Sequence, residues 1–258
     1  MNQPLAFVHP QAKVDPSVVI GPFVTIDKNV EIGAGTRIGS NVTVLEGARI
    51  GKNCTIFPGA VISAIPQDLK FRGEETTAII GDNTTLRECV TVNRGTAAKG
   101  KTIVGSNCLI MAYSHIAHDC VIGNNVIISN ATQCAGEVEV DDFAVIGGGT
   151  LIHQFCHLGA HVMIQGGALI NKDIPPFVKA ARDPIAFTGV NTVGLRRRGF
   201  SNETIEEIQE IYRTLYLSRL NNTEAIAKIE AEFAPSETRD LILNFIKNSG
   251  RGILRSGV

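Results

Sequence analysis

Large aliphatic residues recur at every sixth position along most of this chain, a period that neither an α-helix nor a simple alternating strand produces. The series begins at Val8 and steps through Val14, Ile20, Ile26, Ile32, Ile38, Val44, Ile50 and Ile56 to Ile62. It resumes in phase at Ile80, Leu86 and Val92, then runs unbroken from Val104 to Ile170. The three runs hold 10, 3 and 12 positions, and Cys134 is the only one of these 25 that is not Val, Ile or Leu. Four residues after each anchor the side chain is mostly small or β-branched, as at Ala12, Thr36, Ala48, Ala60, Thr132, Ala144 and Thr150. Glycine directly follows several anchors, among them Gly21, Gly33, Gly51, Gly123 and Gly147.

This pattern describes a triangular coil of three flat sides, each turning one large and one small residue inward, with glycines easing the corners. Six residues per side and 18 per coil define the hexapeptide repeat of a left-handed parallel β-helix. Internal repetition of this kind outweighs local propensity in deciding architecture. Composition agrees: aromatic residues make up 5 % of the 258, Trp is absent, and 26 glycines are spread along the chain. Such a chain is better suited to repetitive stacking than to an ordinary globular core.

The repeat is expected to span residues 1–190, with two excursions at 63–79 and 97–103 where polar, charged and Pro/Gly residues interrupt it. The phase survives both, so they read as loops leaving a rigid scaffold, where functional groups tend to sit. Pro175 and Pro176 are expected to end the regular strands. Residues 191–258 change to amphipathic helix. Ile205, Ile208, Tyr212 and Leu215 share one face behind a cap at Ser201 or Asn202; Ile226, Ile229 and Phe233 mark a second helix. Leu241, Ile242, Phe245 and Ile246 mark a third, opened at Ser236.

A net charge of −1 gives no global field toward nucleic acid or an anionic membrane. The start, MNQPLAFVHP, lacks the basic and apolar segments of a signal peptide, and no apolar run reaches membrane-spanning length. The six cysteines form no CxxC pair, and Cys54, Cys108, Cys120, Cys134 and Cys156 fall in inward phases, where they fill core. A reducing cytoplasm suits them. None of the six histidines falls in an inward phase, and His115, His118, His153, His157 and His161 cluster within three coils. Each alone is as readily a surface residue as a functional one; the cluster is harder to dismiss.

With 18 residues per coil, His118, Gly136 and Gln154 stack at one corner of successive coils, with His153 beside them. At an interstrand spacing of about 4.8 Å, Gln154 lies roughly 10 Å from His118. A base, a glycine with an approachable N–H and an amide donor thus share one edge. A zinc-dependent hydratase on the same fold is an alternative, because imidazole is a common zinc ligand. No two histidines share a column, so a common ion would have to be assembled between subunits, and neither metal nor cofactor is expected.

The run HIAHDC from His115 to Cys120, the later IGGGTLIHQFCHLGAHVMI, the loop IPQDLKF and the segment GVNTVGLRRRGFS resemble the UDP-N-acetylglucosamine O-acyltransferases of lipid A biosynthesis. The resemblance runs nearly the full length. It implies transfer of a 3-hydroxyacyl chain from acyl carrier protein to the 3-hydroxyl of UDP-N-acetylglucosamine, in a homotrimer with sites between subunits. It implies His118 as general base, Asp119 as its orienting partner and the Gly136 N–H as oxyanion donor. It further implies substrate contacts from Asp68, Lys70, His115, His153, Gln154, Asn191, Arg197 and Arg198, with Gly166 setting acyl chain length. Arg196–Arg198, Lys247, Arg251 and Arg255 would suit an acidic carrier protein. Glu137 and Val193 depart from the family, which carries histidine and glutamate there. A related sugar-nucleotide N-acyltransferase, or an amino-sugar acceptor, is the nearest rival.

Overall fold

Each hexapeptide folds as a two-residue strand and a four-residue turn, as in His115–Ile116, Val121–Ile122 and Ile127–Ile128. Alternation along the strand sends the anchor inward and the residue before it outward. Hence Ile116, Ile122 and Ile128 are fully buried while their predecessors are partly exposed. Three residues after the anchor the backbone turns through the left-handed region, and asparagine, which tolerates it, takes this place at Asn29, Asn41, Asn53, Asn83, Asn107 and Asn125 (φ 51–58°). The computed structural model describes residues 4–256. Residues 1–3 and 257–258, the extreme ends of the expected repeat and helical segments, lie outside the described residues.

Stacked coils form a left-handed parallel β-helix, with faces of nine, eight and ten strands among the described residues. On the first face the rungs His115–Ile116, Gln133–Cys134, Leu151–Ile152 and Leu169–Ile170 pair in parallel without slippage. The inward cysteines fill core as expected: Cys54, Cys120, Cys134 and Cys156 are fully buried, and burial raises each thiol above its ordinary pKa.

Ala48 pairs with Ala78, thirty positions on, and Ala78 with Thr102, twenty-four on. The two excursions therefore add twelve and six residues to an 18-residue coil, whole multiples of the hexapeptide, which is why the phase survives. Their bounds differ from those expected. Strand Val61–Ala64 runs past the first expected boundary and Thr77–Ile80 resumes before the second, leaving 65–76 outside the prism. The second excursion is 94–100, because Lys101–Val104 is a strand locked to Thr77–Ile80. Both leave from first-face strands at the same corner.

The strands also outlast Pro175 and Pro176. Val178–Ala181 adds a parallel rung to the third face beside Met163–Ile164, and Ala186–Val190 folds back on it antiparallel. Four helices follow: α1 (Thr192–Arg197), α2 (Asn202–Leu217), α3 (Asn222–Glu232) and α4 (Glu237–Lys247). The first, of six residues, is too short to show a periodic face and was not anticipated. Ser201 and Ser236 cap α2 and α4, accepting from Thr204 N and Arg239 N. Tyr212, fully buried in α2, donates to Pro176 O at 2.6 Å. The chain after α4 returns to the prism, where Asp173 takes Ser249 Oγ–H and Arg251 N–H and pairs with Ile253. Among the described residues no helix is long and apolar enough to cross a membrane.

Candidate active site

Three consecutive turns at one corner carry Ala117–Asp119, Ala135–Glu137 and His153–Phe155. Bonds from Glu137 N to His118 O (3.0 Å) and from Phe155 N to Gly136 O (3.3 Å) hold them in register. The expected column of His118, Gly136 and Gln154 therefore stands along one edge. A groove of about 570 Å³ opens beside it on the first face, lined by His115, His118, Gly136, His153, Gln154 and the apolar rungs Leu151 and Leu169.

His118 is 8 % exposed, and its ring packs against Gly136. A β-carbon on Gly136 would stand 2.5 Å from both Cε1 and Nε2 of the ring, so only glycine permits this seat. Among the described residues no acceptor takes the Gly136 N–H. The middle residue of each turn falls outside the ladder, which leaves this donor free beside the imidazole.

Asp119 turns through φ 60° and is wholly buried beneath His118, with its Oδ2 2.9 Å from Nδ1. The same carboxylate accepts the Thr96 hydroxyl at 2.5 Å, the Thr96 N–H at 3.0 Å and the Lys99 N–H at 3.2 Å. Burial opposes its charge, but hydrogen bonds from Thr96, then His118, outweigh burial and hold its pKa below the ordinary value. An ionised Asp119 can only accept, so Nδ1 carries a proton, and in the neutral ring Nε2 is the nitrogen left with a lone pair. Thr96, Lys99 and Thr102, whose hydroxyl accepts from Asp119 N, lie outside the site residues expected from the sequence. Column arithmetic contained the signal: the excursion at 94–100, which lengthens its coil by six residues, leaves directly below His118, at the same corner.

The first excursion brings Asp68 Oδ2 to 3.9 Å from His118 Nε2, beyond hydrogen-bond reach. Its other oxygen accepts from Lys70 N. Asp68 and Lys70 line a smaller recess of about 210 Å³ with Glu74, Glu137 and Gln154. His115 Nδ1 pairs with Thr91 Oγ1 at 2.7 Å, and burial followed by the neighbouring His118 lowers its pKa. His153 Nδ1 takes no side chain and lies 3.0 Å from Gln154 O.

Four expected residues are brought to neither this groove nor the recess within one chain. Asn191, Arg197 and Arg198 line a separate cavity of about 490 Å³ against the third face, with Val193. Asn191 is engaged at both ends of its amide, capping Gly194 N and donating to His161 O. Arg198 donates to Phe143 O and lies over the Phe143 ring. Gly166 sits at another corner, following Met163–Ile164, where an added β-carbon would meet Gly148 O at 3.0 Å. Of the outward histidines, His161 is covered: it stacks on Phe143 and Phe177 beneath Phe200, and burial, then Arg198, push its pKa down to about 4. No group of three or more His, Cys, Asp or Glu placed to hold a metal ion occurs among the described residues.

Residues 173–254 match the family model for UDP N-acetylglucosamine O-acyltransferase, domain 2, and residues 101–136 the bacterial transferase hexapeptide model. An acyl-[acyl-carrier-protein]--UDP-N-acetylglucosamine O-acyltransferase of Janthinobacterium is 48 % identical over 257 residues, 98 % of each chain. The solved UDP-N-acetylglucosamine acyltransferase of Bacteroides fragilis is 57 % identical, with a TM-score of 0.97 over 99 % of this chain and all of that one. That of Francisella novicida is 41 % identical at the same TM-score, covering all of this chain and 95 % of its own. Identity of this order over nearly all of both sequences means that the chain belongs to the UDP-N-acetylglucosamine O-acyltransferase family.

Proposed function

We propose that this chain transfers a 3-hydroxyacyl group from acyl carrier protein to the 3-hydroxyl of UDP-N-acetylglucosamine, the first step of lipid A biosynthesis. The observation that carries the mechanism is the seat of His118: its Nδ1 is held by a buried carboxylate, and its ring lies against Gly136, whose backbone N–H has no acceptor among the described residues.

A sugar hydroxyl is a poor nucleophile. His118 Nε2 takes its proton as the oxygen attacks the thioester carbonyl, a task suited to imidazole near neutral pH. The tetrahedral oxyanion accepts from Gly136 N–H, a donor fixed before the reaction starts. The intermediate collapses by breaking the carbon–sulfur bond, and the proton held on Nε2 passes to the departing thiolate. Asp119 stays ionised throughout and keeps Nδ1 protonated.

His115, His153 and Gln154 line the groove, Asp68 and Lys70 line the recess that shares Gln154 with it, and all five are assigned to substrate binding. Asn191, Arg197, Arg198 and the chain-length residue Gly166 lie on the third face or its corner, away from His118. They complete the site if a neighbouring subunit presents that face to this groove. A homotrimer of prisms does so at each of three edges, and a cytoplasmic location fits the carrier-protein donor.

The test is incubation with 3-hydroxyacyl carrier proteins of several chain lengths and UDP-N-acetylglucosamine, or its 3-amino analogue, with product identified by mass. An ester on the 3-hydroxyl supports the assignment. Amide from the amino analogue alone moves the acceptor to an amino sugar, with Glu137 in the recess beside Asp68 and Glu74 as the residue to exchange first.

A further inference from the structure

We propose that Thr96 is a positioning residue for acyl transfer and that the 94–100 excursion is a clamp holding Asp119 against His118; this rests on His118 acting as the base. A regular coil closes in 18 residues, so the prism does not need the six extra ones. What the excursion delivers is donors: beyond His118, the hydrogen bonds onto the Asp119 carboxylate come from Thr96 Oγ1, Thr96 N and Lys99 N. The torsion that sets a carboxylate plane is intrinsically broad, so its neighbours must fix it. Here they aim Oδ2 at His118 Nδ1.

The clamp is itself anchored. Gly100 N donates to Thr96 O, and Ala98 N to the Thr96 hydroxyl oxygen, closing the loop on itself. Gly95 N donates to Thr77 O and Gly95 O accepts the Thr76 hydroxyl at 2.6 Å. A β-carbon at Gly95 would stand 2.2 Å from Lys101 N, so the chain passes there only as glycine. Arg94 N donates to Ala64 O and Asn93 Nδ2 to Ile65 O, at the root of the first excursion. The loop that carries Asp68 and the loop that grips Asp119 are thereby tied together, so the two carboxylates beside His118 keep fixed relative positions.

Thr96→Val removes the hydroxyl, and with it the donation to Asp119 and the acceptor of Ala98 N, but keeps the side-chain shape and the two backbone donors to Asp119. Losing one hydrogen bond to a charged acceptor is expected to lower kcat by about tenfold, short of the ~10²–10⁴ that a whole general base contributes. KM for UDP-N-acetylglucosamine is expected to stay within about twofold, because the hydroxyl is engaged by Asp119 and is not offered to substrate. Thr96→Ser restores the donor and is expected to recover most of kcat. Wild-type transfer and its loss in His118→Ala are established first in the same assay, which tests the reaction separately from the clamp. A Thr96→Val enzyme with wild-type kcat, or a loss that Thr96→Ser fails to recover, overturns the clamp and leaves the reaction standing.

Discussion

Gly136→Ala tests how closely the proposed base, His118, and the proposed oxyanion donor, Gly136 N–H, are coupled. The β-carbon would stand 2.5 Å from His118 Cε1 and Nε2, about 1 Å inside ordinary carbon contact. Gly136 does not lie in the left-handed region, so alanine meets no backbone strain there, and the whole effect falls on the ring. The Asp119 bond resists displacement of that ring, and any tilt carries Nε2 off the line of attack. Misplacement of a reacting group by about 1 Å costs on the order of 10²-fold in rate. We therefore expect kcat to fall about 10²-fold with both substrates saturating. Stability should change by less than ~1 kcal/mol, since alanine also lowers the entropy of the unfolded chain. The assay is initial-rate ester formation beside thermal melting, for Gly136→Ala, His118→Ala and the double variant. If the effect runs through His118, the double variant is no slower than His118→Ala. A Gly136→Ala enzyme within about threefold of wild type would refute the reasoning.

Asp119→Asn should lower kcat by ~10²–10⁴, because an amide no longer secures the Nδ1 proton. It should also flatten the acid limb of stability: Asp119's pKa is depressed in the fold, so its contribution is present above the unfolded value of about 3.9 and lost as pH falls through the native value. Melting from pH 7 to pH 3 checks this. His157, 2.9 Å from Asp141 and packed on Phe245 of α4, shifts the other way. Burial lowers its pKa, but Asp141, Glu139 and Asp173 together raise it, so its stabilisation is full below about pH 6.5 and lost as pH rises through the native value. The melting difference between wild type and Asp141→Asn should be larger at pH 6 than at pH 9. His161→Phe should leave stability within ~1 kcal/mol, as it keeps the stack and removes the buried, unpartnered Nδ1, whereas Ile116→Ala should cost ~2–5 kcal/mol in chemical denaturation.

The prism and the edge that stacks the candidate site were legible because both follow from one period. A six-residue repeat fixes which side chains turn inward, and 18-residue arithmetic stacks His118 below Gly136 and Gln154 without any knowledge of contacts. What the period does not describe was read less well. The excursion bounds moved because Lys101–Val104 and Thr77–Ile80 carry the ladder into stretches whose composition resembles loop. Val178–Ala181 formed a rung after two prolines because the prolines precede it and none falls within it. The grip of Thr96 on Asp119 depends on where a loop folds back, which no periodicity encodes. The third-face residues Asn191, Arg197 and Arg198 came from family likeness, and within one chain they face another cavity.

The proposed role of His118 as the base is tested by kcat for transfer from 3-hydroxyacyl carrier protein to UDP-N-acetylglucosamine in wild type and His118→Ala, with nucleotide affinity measured on both by calorimetry. We expect the variant to lose at least ~10²-fold in kcat while binding the nucleotide within a few-fold of wild type. Near-wild-type turnover by His118→Ala would contradict the account.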